Sequence, residues 1–170
     1  MTRLLKKVLS GTLDDAEISQ LVSAFDQIGS VIVIRIPPGL YPRRHLIGEA
    51  LLSGIKIADR VFCQVTKVDG AWRTRGLELV AGSGDTVTTY RENGCVFEID
   101  VEKVFFTPRL ATERKRVSEM VRPGETVLNM FGGAGLYSVQ MARRVMCVVY
   151  NVDINPHATL LCRKNAGLNR

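Results

Sequence analysis

The sequence is poor in metal-binding pattern. Its four cysteines, at 63, 95, 147 and 162, form no Cys-x-x-Cys pair, and only His45 and His157 are available to join them. That spacing gives no support for a zinc site and points to buried, reduced thiols. No apolar run approaches the roughly 18–20 residues of a membrane-spanning helix, and residues 1–10 lack the apolar stretch of a secretion signal. There is no internal repeat, no low-complexity segment and no polybasic tail. Aromatic residues are only 6% of the chain. These absences exclude a membrane protein, a fibre and a disordered tail, and they lead us to expect a soluble cytoplasmic protein without a metal.

What remains is ordinary globular composition. The 170 residues are 46% apolar and 24% charged, enough for one domain or two small ones. The net charge of +6 comes from residues 1–80 and 123–170, with 81–122 balanced. Mild basicity of this size favours an acidic partner such as RNA.

Thr12, Asp15 and apolar Ile18, Leu21, Val22 and Phe25 predict a capped amphipathic helix ending near Gly29. The β-branched run 31–34 predicts a buried strand, ended by Pro37-Pro38-Gly39. A helix follows over 43–52 with Arg43 and Arg44 in its first turn, opposing the helix dipole at a cost that a bound phosphate offsets. Residues 60–67, 72–80, 87–91 and 95–99 alternate as strands, and Asn93-Gly94 is the strongest hairpin signal in the chain. The first part therefore reads as mixed α/β with a largely antiparallel sheet. After Pro108 the rhythm becomes helix 109–120, strand 126–130, a glycine-rich turn, helix 136–143, strand 146–151 and helix 157–168. That order opens a doubly wound parallel sheet. The fold class is α/β: a small mixed α/β domain over 1–107, then the first half of a Rossmann-like sheet over 108–170.

The chemistry concentrates in the segment 127–138, where a strand runs into Gly132, Gly133 and Gly135 and a helix opens at once. Roughly 20 residues on, the next strand ends in Asp153, where nucleotide-binding sheets place a carboxylate for ribose hydroxyls. The turn is Gly-Gly-x-Gly rather than the dinucleotide pattern, which favours S-adenosyl-L-methionine, a cofactor without a phosphate. The competing reading is a tight strand-to-helix turn plus an N-cap.

FFTPRLATER (105–114), VLNMFGGAGLYS (127–138) and DINPHA (153–158) resemble the SAM-dependent tRNA (guanine-37-N1) methyltransferases, as do IGEALL (47–52), WRTRGLELVAG (72–82) and ENGCVFEIDVEKV (92–104). The chain looks like the compact archaeal form. The resemblance implies methyl transfer from S-adenosyl-L-methionine to N1 of guanosine 37 in tRNA. Guanine N1 carries a proton at neutral pH, so a base must remove it while charge builds on O6. The resemblance assigns that base to Glu113 and the O6 contact to Arg73, with Arg75 as the alternative. It assigns the cofactor to Arg114, Phe131, Gly132, Gly133, Gly135, Asp153, Ile154 and Asn155, and tRNA to Arg43, Arg44, Arg75 and Arg109. Read from spacing alone, Glu113 is a solvated carboxylate paired with Arg109 or Arg116. Trp72 reads as core.

Two departures stand out. Asn129 replaces the acid that leads the glycine turn, which is expected to weaken cofactor binding, and Phe105 replaces a tyrosine. Only the first two strands of the methyltransferase sheet are encoded, so the face meant for its neighbours is expected to be open. The alternatives are an aminocarboxypropyl transferase of wybutosine synthesis using the same cofactor, whose motif carries Ser-Gly-Asn where this chain has Pro108-Arg109-Leu110, and a catalytically dead RNA-binding fragment.

Overall fold

The computed structural model describes residues 2–21, 25–66, 70 and 72–170. The chain divides into two compact units, Met1–Val68 with Arg75–Thr86, and Val87–Arg170 with Asp69–Thr74. The division between Thr86 and Val87 lies ahead of the change of rhythm read at 107, because the hairpin that follows Thr86 packs with the C-terminal helices.

In the first unit, β1 (Phe25–Ile28), β2 (Val31–Ile34), β3 (Arg60–Gln64) and β4 (Leu77–Gly82) form one sheet in the order β1-β2-β3-β4. Pairing is antiparallel, parallel, antiparallel. The parallel β2–β3 step needs a crossover, which α3 (Arg44–Gly54) supplies. All four β2 residues are buried, as expected of an apolar strand with neighbours on both sides. Leu5 and Leu9 from α1 (Thr2–Leu9) and Ile18 from α2 (Asp15–Gln20) close the core over Ile32, Ile34, Ile47 and Leu51.

The helix expected from Thr12 to Gly29 is corrected here. Asp14, not Thr12, caps α2, in a reciprocal box with Glu17, and the helix stops where Leu21 turns extended. Phe25 and Ile28 are the buried ends of β1, in register with Ile34 and Val31. Their spacing from Ile18 imitates a helix, but pairing with β2 across the Gly29-Ser30 turn decides the segment. Val22 lies outside the described residues. The expectation of strand from residue 72 is corrected too: Trp72 and Arg73 form a turn, and β4 begins at Leu77.

The second unit opens with the hairpin β5 (Val87–Glu92) and β6 (Cys95–Asp100), a sheet of its own. Asn93 (φ 49) and Gly94 (φ 77) make its tight turn. A 3-10 turn, Pro108–Leu110, leads into α4 (Ala111–Met120). Then β7 (Thr126–Met130), α5 (Leu136–Arg144), β8 (Val148–Val152) and α6 (Pro156–Leu168) complete a parallel β-α-β-α run. Two asparagines of α6 tie it to β6. The Asn165 amide accepts from Glu98 N and donates to Glu98 O, and the Asn169 amide does the same for Val96. The side chains thus stand in for a third strand on that edge.

On β7 and β8 every second residue faces outward. Leu128, Met130, Val148, Tyr150 and Val152 are each more than half exposed. Among the described residues no helix is long and apolar enough to cross a membrane. All four cysteines are free: Cys63 and Cys95 are buried, Cys147 and Cys162 half-buried.

Candidate functional site

The site grows from the ends of β7 and β8. Because these strands are parallel and in register from Thr126↔Val148 to Met130↔Val152, both chains turn at the same edge of the sheet. At the end of β7, Phe131 takes a left-handed backbone (φ 59), a conformation that costs a non-glycine residue and clusters at functional turns. Gly132 N then donates to Val152 O at 2.9 Å. Gly133 N donates to Asp153 Oδ2 at 2.7 Å, and Asn155 N donates to Asp153 Oδ1 at 2.9 Å. The carboxylate is therefore bound to the bend itself.

The three glycines answer to different neighbours. A Cβ on Gly132 would run into the Asn151 side chain, and one on Gly135 (φ 85) would lie 2.5 Å from Cys162 Sγ. Only Gly133 (φ 55) faces open space. Two of the three are required by packing inside the protein rather than by a ligand's approach.

Between the bend and the carboxylate lies an open cavity of about 330 Å³. Arg73, Arg114, Phe131, Gly132, Gly133, Asp153, Ile154 and Asn155 all line it, so most residues singled out for a cofactor meet at one place. Gly135 is not on the wall; it starts α5 one step behind. A carboxylate offers about four lone-pair sites. Asp153 uses one on each oxygen for a backbone N–H, which leaves acceptors for two further hydroxyls. This arrangement fits a ribose diol.

Behind the wall, Arg114 and Glu92 form a buried ion pair. Arg114 Nε and Nη2 each donate to Glu92 at 2.6 Å, Nη2 also reaches Thr107 O at 3.1 Å, and the guanidinium lies 5.4 Å from the Phe106 ring centroid. Gln140 and Tyr90 donate to the same carboxylate at 2.8 and 3.0 Å. Burial pushes the Glu92 carboxyl up, but the hydrogen bonds from Arg114, Gln140 and Tyr90 and the Arg114 charge outweigh it and hold the group below its usual range. Burial, then the Glu92 hydrogen bond, pushes Tyr90 up to about 12. Arg114 thus spends most of its donors on the protein and holds Phe106 and Thr107 in the wall.

Glu113 is not on the cavity wall. Arg116 grips it from the next turn, Nε and Nη2 donating at 2.8 and 2.7 Å, and these bonds hold its carboxyl below the usual range. The pairing is the one its spacing alone suggests. The first-unit arginines are also engaged. Arg43 pairs with Glu17 and donates to Thr12 O at 2.7 Å; Arg44 Nε donates to Glu78 at 2.9 Å; Arg75 lies 3.9 Å from Asp26. The carboxylates of Glu17 and Glu78 offset the basic first turn. Arg109 is exposed on the 3-10 turn.

Trp72 departs from the expected core position. It is 44% exposed, lines the cavity and meets the exposed His157 ring edge to face, centroids 6.3 Å apart. Asn129 has a local reason: its amide donates to Ser138 Oγ at 2.9 Å and to Asn151 Oδ1 at 3.1 Å, where an acid would repel the Asn151 oxygen. Among the described residues no three His, Cys, Asp or Glu side chains converge as a metal group would.

Residues 88–170 match the TRM5/TYW2 methyltransferase domain, and residues 5–86 match the TYW2 N-terminal domain. The chain is 41% identical over 150 residues to tRNA (guanine(37)-N(1))-methyltransferase Trm5b of Pyrococcus abyssi, covering 88% of this chain and 45% of that one. Residues 88–170 thus belong to the TRM5/TYW2 methyltransferase domain family. Among solved TRM5/TYW2 structures, aTrm5 in complex with tRNALeu matches with a TM-score of 0.87 and 31% identity, over 98% of this chain and 49% of that one. The TYW2 of P. horikoshii in complex with MeSAdo matches with a TM-score of 0.75 and 29% identity, over 99% of this chain and 60% of that one. The chain thus spans about half the length of the TRM5/TYW2 relatives it matches.

Proposed function

We propose that the chain belongs to an S-adenosyl-L-methionine-dependent tRNA methyltransferase that acts in the cytoplasm on N1 of guanosine 37. The observation that carries this reading is the open crevice between the Gly132–Gly133 bend and the Asp153 carboxylate. The complexes of relatives with tRNALeu and MeSAdo support it. When bound, the cofactor supplies an electrophilic methyl group.

Asp153 accepts from the ribose hydroxyls, and the backbone around Gly133 and Asn155 keeps that carboxylate in place. Phe131 and Ile154, 86% and 71% exposed, offer apolar surface to the adenosyl group. Arg73 donates to guanine O6, where charge grows as the N1 proton leaves. Glu113 takes that proton once Arg116 releases it. Arg114 acts through Phe106 and Thr107. Arg43, Arg44, Arg75 and Arg109 meet tRNA phosphates, the first three by exchanging their carboxylates. In this reading the first unit, Met1–Val68 with Arg75–Thr86, binds RNA, and the second holds the cofactor.

Equilibrium dialysis tests the reading. S-adenosyl-L-methionine binds saturably, S-adenosylhomocysteine displaces it, and Asp153→Ala weakens it roughly tenfold or more through the lost charged hydrogen bonds. Glu113→Gln leaves that affinity unchanged. No saturable binding, or binding indifferent to Asp153→Ala, overturns it. The TYW2-type match over residues 5–86 favours a second reading, aminocarboxypropyl transfer from the same cofactor. The mass added to the tRNA separates the two, and Pro108-Arg109-Leu110 favours methyl transfer.

A further inference from the structure

The sequence holds six Phe, four Tyr and one Trp. Five of these eleven rings, Trp72, Phe105, Phe106, Phe131 and Tyr137, line the one cavity described above. Phe106 is buried beside Tyr90, and Tyr137 is half-buried, so both belong to the wall. Trp72, Phe105 and Phe131 are 44%, 54% and 86% exposed and form a rim. Apolar rings usually bury; a rim of exposed ones around a cavity marks a surface awaiting a flat apolar ligand.

Of the three rim rings, Trp72 is the one followed in sequence by a charged residue, Arg73. It stands in a turn whose next residue, Arg73, has a left-handed backbone (φ 54) and donates its N–H to Gly70 O at 3.1 Å. The edge-to-face contact with His157 covers at most one face of the indole. Of the three charged side chains on the cavity wall, Arg114 is tied to Glu92, and Asp153 holds two backbone N–H groups. Among the described residues the Arg73 guanidinium makes no hydrogen bond or ion pair. Trp72 and Arg73 line the same cavity, and an aromatic face with a guanidinium is the pair of groups that recognises guanine: the ring stacks on the π face, and the cation meets the O6 and N7 acceptors. A base drawn out of its stack needs such a substitute partner.

We propose that Trp72 is the stacking platform for the target guanine, with Arg73 at its O6 edge. This deepens the methyltransferase reading and rests on it. In the same cavity the adenosyl group is assigned to Asp153 and Phe131.

Trp72 is the sole tryptophan, so intrinsic fluorescence of the full chain reads this residue alone. The probes are an anticodon stem-loop with guanosine at position 37, the same hairpin with an abasic site there, and S-adenosyl-L-methionine by itself. Anisotropy of end-labelled hairpins measures binding independently. The expected result is strong quenching by the guanosine hairpin, little by the abasic one although it binds through its phosphates, and none by the cofactor. Trp72→Leu lowers the preference for guanosine over the abasic hairpin roughly tenfold, and Trp72→Phe retains most of it. Equal quenching by two bound hairpins overturns the stacking proposal and leaves the methyltransferase reading standing. Quenching by the cofactor alone moves the indole to the adenosyl side and also overturns it. Failure of either hairpin to bind removes the tRNA reading and this inference together.

Discussion

Replacing Glu92 by glutamine keeps the side chain's shape and deletes one charge behind the cavity wall. The Glu92 and Arg114 side chains are 3% and 5% exposed, so water cannot replace what is lost. Neutralising one partner of a buried ion pair costs about 3–5 kcal/mol, because the other charge stays buried and uncompensated. In glutamine, moreover, an amide N–H group faces Arg114 donors that need an acceptor. With a urea slope of about 1–3 kcal/mol per molar, the unfolding midpoint falls by at least about 1 M. Trp72 fluorescence follows the transition in the unit that holds the pair. A double variant, Glu92→Leu with Arg114→Met, should regain most of the loss, since apolar replacements of whole buried pairs are often neutral. Acid titration supplies a second readout. The folded Glu92 value lies below the ordinary one, so its contribution is complete above about pH 4.3 and is lost as pH falls through the folded value. Glu92→Gln should flatten that acid limb. A midpoint unchanged by the single variant, or lowered further by the double, would refute the reasoning.

At the alkaline end the sign reverses for Tyr90. Its folded value of about 12 exceeds the ordinary 10, so its contribution is complete below pH 10 and disappears between the two values. Tyr90→Phe should remove the latest phenolate step seen by ultraviolet titration; a Tyr90 step near 10 contradicts the burial argument. Gly135→Ala should cost about 2–4 kcal/mol, from a left-handed backbone and a Cβ 2.5 Å from Cys162 Sγ. Gly133→Ala meets no neighbour and should cost only about 1–2 kcal/mol. Equal losses in urea melts would show that Cys162 does not demand a glycine at 135.

Legibility followed the range of the interactions. The β7-α5-β8-α6 run was readable almost to the residue, because apolar periods alternate there with Gly124, Gly133, Gly135 and Pro156. The Glu113–Arg116 pair was readable as a helical spacing. By contrast, Phe25 and Ile28 carry helix-like spacing, and only the partner strand shows otherwise. Helix α1 was not anticipated, although Leu5, Val8 and Leu9 recur at helical intervals. Glu92 and Arg114 are joined across 22 positions, a contact no local pattern announces. Trp72 looked like core because large rings generally are; its exposure is set by where the turn before Arg73 comes to rest. The glycine bend was visible, but the separate causes at Gly132, Gly133 and Gly135 were not.

The grouping of Asp69–Thr74 with the second unit bears on any attempt to dissect the chain. The six-residue excursion departs from β3 and returns to β4, so no single cut yields both units whole. An excised piece beginning at Val87 would keep the glycine bend and Asp153 yet forfeit Trp72 and Arg73, which share the cavity with them. The complementary piece would retain those two groups with nothing to face. A contiguous piece that keeps the whole pocket must therefore start ahead of Trp72 and carry Arg75–Thr86 of the first unit with it.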